Sequence, residues 1–162
     1  PELFAGFFKK LFDLWYQDIT DGRFIYVRYF ENLLGMLLGR PPEHCGLSGR
    51  CAPQHVVEAD GSVYPCDFYC LDQWRLGNIL QDSFPDLDKA AGQFLKDSLS
   101  PPADCGDCEY FFICRGGCRR DREPLSPQGK NYFCTAYRDF FAYALPRLQA
   151  LAGFSSRGQS SF

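Results

Sequence analysis

CGDCEYFFICRGGC, residues 105–118, places four cysteines within fourteen residues, and what such a run can hold decides how the chain folds. Five more cysteines stand at 45, 51, 66, 70 and 134. Disulfides, zinc and iron–sulfur clusters compete as explanations. Nine thiols cannot all pair within one chain, and disulfide-stapled domains are shorter and poorer in core residues than this one. The dense run reads Cys105-x2-Cys108-x5-Cys114-x3-Cys118, followed by Cys134. A Cys-x2-Cys turn lets two thiolates reach one metal centre, and a third a few residues on supplies another corner. The fourth cysteine of a tight run often cannot fold back onto the same centre; in two-cluster ferredoxins it ligates the other cluster. By that logic Cys105, Cys108, Cys114 and Cys134 hold one centre. Cys118 crosses to Cys45, Cys51 and Cys66, and Cys70 is left as a small buried hydrophobe. Two sets of four thiolates also suit zinc. Zinc ribbons, however, more often pair two Cys-x2-Cys knuckles, and only one occurs here; the spacing favours clusters.

The rest of the chain bounds the setting. Its 162 residues, 46% hydrophobic, suffice for one domain with a modest core. A net charge of −3 gives no global field to recruit nucleic acid. The local basic cluster, Arg115, Arg119, Arg120 and Arg122, sits among the cysteines. Its guanidinium groups can offset cluster charge and raise a potential, or form an ordinary solvated face. No apolar stretch approaches the roughly 18 residues needed to cross a bilayer. The chain begins at Pro1 and reads as a piece of a longer protein, so the lack of a leader says nothing about export.

Periodicity predicts a helix over 2–18, with Leu3, Phe7, Leu11, Leu14 and Trp15 at helical spacing, and a second over 24–38, ended by Gly39 and Pro41-Pro42. These aromatics serve as core or as a face for an absent domain. Residues 54–65 read as a β-hairpin turning at Asp60-Gly61, with Val57 opposite Tyr64. A short helix is expected within 84–97, starting near Pro85 or Asp86. A linker follows over 98–104. The last helix is expected over 131–152, kinked near Pro146, with a flexible tail after it. His44 and His55 read as surface or hydrogen-bonded residues, since eight cysteines already suffice as ligands. Gly116-Gly117 lets backbone approach a cluster. Tyr64, Phe68 and Tyr69 are read as a shield over the first cluster or as plain core.

Cys51-x9-Gly61-x4-Cys66, then Cys105-x2-Cys108-x5-Cys114-x3-Cys118, then Cys134, resembles the SPASM domain of certain radical S-adenosylmethionine enzymes. The likeness covers about residues 45–134. VYPCDFY (63–69), LGNI (76–79) and the extra Cys45 resemble one subgroup, the anaerobic sulfatase-maturating enzymes. The resemblance implies an α+β, cysteine-rich cluster-binding domain over 41–152, with a β-hairpin and flanking helices. Residues 1–40 would then be the helical end of a missing radical barrel, and 153–162 the tail. It implies two 4Fe–4S clusters, the first at Cys45, Cys51, Cys66 and Cys118, the second at Cys105, Cys108, Cys114 and Cys134.

The parent enzymes oxidise a sulfatase cysteine or serine to Cα-formylglycine. A radical from S-adenosylmethionine takes a hydrogen from the substrate Cβ, a base takes the thiol or hydroxyl proton, and an electron leaves through the protein. Asp67 falls at the position of that base, a carboxylate able to accept a proton near the reacting carbon; the plain alternative is that it caps the turn after the hairpin. The implied partners are a sulfatase polypeptide and an external electron acceptor, with no nucleic acid and no membrane, in the cytoplasm. The radical-generating Cys-x3-Cys-x2-Cys motif is absent. S-adenosylmethionine and a third cluster would therefore belong to the missing N-terminal part, and this chain alone is expected to be inactive. A SPASM domain of another peptide-modifying maturase, or a peptide-binding module stabilised by zinc on four cysteines, is the alternative.

Overall fold

The computed structural model describes residues 1–99, 101–123 and 129–158. Helix α1, Glu2–Thr20, carries Ala5, Phe12 and Trp15 on its buried face, and α2, Arg28–Leu37, buries Phe30 and Leu33. Both pack on α6, Cys134–Gly158. Phe12, Phe30 and Phe140 meet there with ring centres 5.3–5.8 Å apart, in the mixed edge-on and stacked geometry that ring quadrupoles favour. Arg147 and Tyr143 of α6 bind the Asp13 carboxylate of α1 at 2.8 Å. The helices within 1–40 and the last helix thus share one core. Phe30→Ala in the full-length protein is expected to lower stability by about 3–5 kcal/mol, read from denaturant midpoints. A loss under about 1 kcal/mol would mean that this aromatic cluster is not the core.

Sequence and structure differ at several places. In α1 the stripe picked from periodicity is largely the outer face: Leu3 is 92%, Leu14 62% and Phe7 58% exposed. The second helix begins at Arg28, not at residue 24. Phe24-Ile25-Tyr26-Val27 is rich in β-branched and aromatic residues, which lose side-chain freedom in a helix. That helix ends as expected at Gly39, φ +78°. There the Arg40 N–H reaches the Gly35 carbonyl and the Gly39 N–H that of Met36, a Schellman cap.

The hairpin forms, but its register is shifted by one. Strand β1, Val56–Val57, pairs antiparallel with β2, Ser62–Tyr64, so that Val57 faces Val63 and Val56 faces Tyr64. The cause is the turn. Gly61 takes φ +82°, its N–H bonds to the Glu58 carbonyl, and the Glu58 N–H bonds to that of Ser62. This is a three-residue loop with a left-handed closing glycine rather than a two-residue one. A third strand, β3, Gly77–Asn78, adds to the far edge of β2.

The expected 84–97 helix is two, α3, Phe84–Ala90, and α4, Gly92–Ser98, broken where Ala91 precedes the weak helix former Gly92. A single turn, α5, Phe111–Cys114, sits inside the cysteine run. Helix α6 starts at Cys134, three residues later than predicted, and its helical backbone runs through Pro146 to Gly158. Part of the segment read as a tail is therefore helical, and 159–162 lie outside the described residues. No helix among the described residues is long and apolar enough to cross a membrane.

Candidate iron–sulfur centres

The cysteine run divides at α5. Tyr110 N-caps this turn, and Cys114 closes it. The next three residues all take left-handed backbone: Arg115 φ +52°, Gly116 φ +84°, Gly117 φ +70°. Such a run needs glycine. A Cβ on Gly117 would stand 2.5 Å from the Asn131 amide nitrogen, which donates to the Gly116 carbonyl. The reversal sends Cys118 away from Cys114 and towards Cys45 and Cys51.

Two groups of thiols result. Cys105, Cys108, Cys114 and Cys134 line one cavity of about 340 Å3, walled by Tyr110, Tyr137 and Phe141. Cys45, Cys51 and Cys118 line a second, much smaller one. Cys66 does not line that cavity, but it lies close enough to feel the Cys118 charge. Cys70 stands apart: its Sγ is 3.7 Å from the Cys66 carbonyl, it lines an open hollow with Glu58 and Tyr64, and it is half-buried rather than buried. All nine cysteines are free thiols.

Buried polar side chains hold the loops. Asn32 of α2 accepts from the N–H groups of Glu43 and His44 and donates to the Arg28 carbonyl, fixing the approach to Cys45. Ser98, at the end of α4, accepts from the Cys51 N–H at 3.0 Å and donates to the Leu95 carbonyl. Asn131 ties Gly116 to the start of α6, accepting from the Phe133 N–H at 2.8 Å. None of these was marked by the sequence. Asn131 alone left a signal, as a polar residue just ahead of a helix.

The electrostatics fit a metal-binding thiol set. Burial pushes Cys66 up to about 12, with Asp67 and Cys118 adding to it, and Cys114 up to about 11, with Cys105, Cys134 and Cys108 adding. Burial also raises Cys51, Cys105, Cys118 and Cys134, each with neighbouring thiols contributing. Thiols that oppose one another's ionisation are thiols that a cation centre would stabilise. Among the described residues no three His, Cys, Asp or Glu side chains converge on a single metal ion. Cys105, Cys108, Cys114 and Cys134 instead line an open volume. That space leaves room for a cluster with one iron per thiolate. An all-thiol donor set also suits iron–sulfur chemistry.

Asp67 is exposed and opens a short turn, Asp67–Tyr69. Its Oδ1 accepts from the Phe68 N–H at 3.1 Å and from the Cys66 thiol at 3.1 Å. Phe68 beside it is exposed, while Tyr69 and Tyr64 are buried. Of the histidines, His55 sits 3.0 Å from the Asp88 carboxylate. His44 packs edge-on against Tyr29 and lines neither quartet's cavity. The four arginines separate: Arg119 and Arg122 are buried and line the Cys45–Cys51–Cys118 cavity, Arg120 is half exposed beside Glu123, and Arg115 packs on Gly49.

Residues 50–109 match the model of the SPASM iron–sulfur cluster-binding domain. More particularly, the chain is similar to anaerobic sulfatase-maturating enzymes. It is 45% identical over 152 residues to the cysteine-type enzyme of Clostridium perfringens (strain 13 / Type A), covering 91% of this chain and 41% of that protein. With the serine-type enzyme of Bacteroides thetaiotaomicron it shares 28% identity over 152 residues, covering 90% and 36%. The solved structure of native anSMEcpe with bound AdoMet and Kp18Cys peptide superposes with a TM-score of 0.88 at 45% identity, covering 94% of this chain and 43% of that one. The chain thus spans about two fifths of the length of the curated relatives it matches.

Proposed function

We propose that the chain is the C-terminal part of a cytoplasmic radical S-adenosylmethionine enzyme that oxidises a cysteine of a sulfatase polypeptide to Cα-formylglycine. The observation that carries this reading is the gathering of Cys105, Cys108, Cys114 and Cys134 around one cavity, with Cys118 redirected to Cys45 and Cys51. Each quartet, Cys66 completing the second of these, would hold one 4Fe–4S cluster. When bound, the clusters supply a one-electron sink from which an external acceptor draws. Asp67 takes the substrate's proton, and the exposed turn at 67–69 offers it to a peptide. The cysteine-type assignment is supported by identities of 45% and 42% to cysteine-type relatives against 28% to a serine-type one.

Full-length protein reconstituted without oxygen is expected to lose about four irons on replacement of Cys118 and another four or so on replacement of Cys134, following the four-per-cluster ligation pattern. It should convert a cysteine-containing sulfatase peptide, read by mass spectrometry. Zinc bound in place of iron would overturn the cluster reading. Full iron with no conversion of any sulfatase peptide would point instead to a maturase of another peptide.

A further inference from the structure

The two thiol cavities differ sharply in charge. The one lined by Cys45, Cys51 and Cys118 is also lined by Arg50, Arg119 and Arg122 and by no carboxylate. The other is lined by Asp104, Asp107, Lys130 and Arg138, which cancel. Lys130 and Asp104 pair across 3.8 Å with exposed side chains, so solvent screens them.

Arg119 is the built feature of the first cavity. Its side chain is only 6% exposed. The guanidinium carbon lies 4.8 Å from the ring centres of Trp74 and Phe94 and 5.2 Å from that of Tyr69, and Nη1 donates to the Phe94 carbonyl at 3.1 Å. Glu123 at 3.2 Å and Asp97 at 3.8 Å are its counter-ions. Glu123 is shared with Arg120 at 3.2 Å, so it does not cancel Arg119 alone. A planar cation fits such a three-ring cage better than an ammonium. Arg119 lines the thiol cavity together with Cys45, Cys51 and Cys118. Arg122, also buried, lines the same cavity as Arg119. Asp121 opposes their charge at Cys118.

We infer that Arg119 makes the cluster on Cys45, Cys51, Cys66 and Cys118 the more oxidising of the two, so that a single electron shared by the pair rests there. The inference depends on the two-cluster reading above. A buried cation beside a cluster of net negative charge stabilises the reduced form, which carries one negative charge more, and net charge and burial are among the terms that set cluster potentials.

The test is a redox titration, followed by electron paramagnetic resonance, of anaerobically reconstituted full-length protein. The step lost in Cys118→Ala belongs to the first cluster, and the step lost in Cys134→Ala to the second. The first cluster's step should lie at the higher potential. Arg119→Met should lower that step alone, by about a tenfold change in the reduction equilibrium, or ~59 mV for one electron. Arg119→Lys should recover most of the shift, and Arg122→Met, in the same cavity, should lower the same step. Iron counts near wild type with the first cluster at the lower potential, or with Arg119→Met leaving its step in place, would overturn the inference while the cluster reading stands. If Arg119→Met fails to fold, Arg119→Lys and the order of the wild-type steps still decide. Absence of both clusters would instead overturn the reading beneath it.

Discussion

Cys118→Ala is expected to remove one cluster and leave the other. Iron and sulfide should fall by about four each in anaerobically reconstituted protein, and formylglycine formation should drop below detection. The second quartet should keep its metal, because Cys105, Cys108, Cys114 and Cys134 line their own cavity without help from Cys118. The reason lies in three left-handed residues. Arg115, Gly116 and Gly117 reverse the chain after α5, and the reversal is locked by the Asn131 amide on the Gly116 carbonyl. Cys118 is thereby the one thiol of the dense run placed beside Cys45 and Cys51. Metal ligation also contributes folding energy to the loops it ties, so the loop at 45–53 should become more open to proteolysis in this variant while that at 105–114 does not. Loss of both clusters would show that the quartets are not independent. Loss of neither would remove Cys118 from the ligand set.

The placement of Cys118 beside Cys45 and Cys51 was legible by analogy with two-cluster ferredoxins, in which the fourth cysteine of a tight run serves the other centre. Long helices were legible for a different reason. Periodicity over α1, α2 and α6 sums many weak preferences. It could not say which apolar stripe of α1 faces inward, since Leu3, Phe7 and Leu14 are as apolar as Phe12 and Trp15. Short elements failed where one residue decides. The hairpin slipped by one position because Gly61 closes a three-residue turn, and β3 is only two residues long, below any period. Asn32, Ser98 and Asn131 left little trace because their partners lie 11, 47 and 15 residues away. Buried amides and hydroxyls of this kind are chosen by tertiary geometry, where an unsatisfied backbone group would cost about 1–3 kcal/mol. The preference for Arg119 and Arg122 over their neighbours belongs to the same class, since only the fold buries two of the four.

Asp67→Asn is expected to lower formylglycine yield by about 10²- to 10⁴-fold, the usual worth of a positioned proton acceptor, with iron content and thermal stability unchanged. The substitution separates two roles that the geometry superimposes. Asp67 Oδ1 accepts from the Phe68 N–H, which fixes the turn carrying Cys66 and Tyr69. An asparagine keeps that oxygen and that hydrogen bond, so the turn and the ligand before it should stay in place. What asparagine cannot do is take a proton. Asp67→Ala removes both functions, and should add a stability loss of about 1 kcal/mol and some loss of iron at the first cluster. If the yield in Asp67→Asn stays at the wild-type level while Asp67→Ala loses iron, the carboxylate serves the turn alone, and the proton must leave the substrate by another group. If Asp67→Asn retains its clusters and loses its product, the exposed carboxylate beside Cys66 is the base.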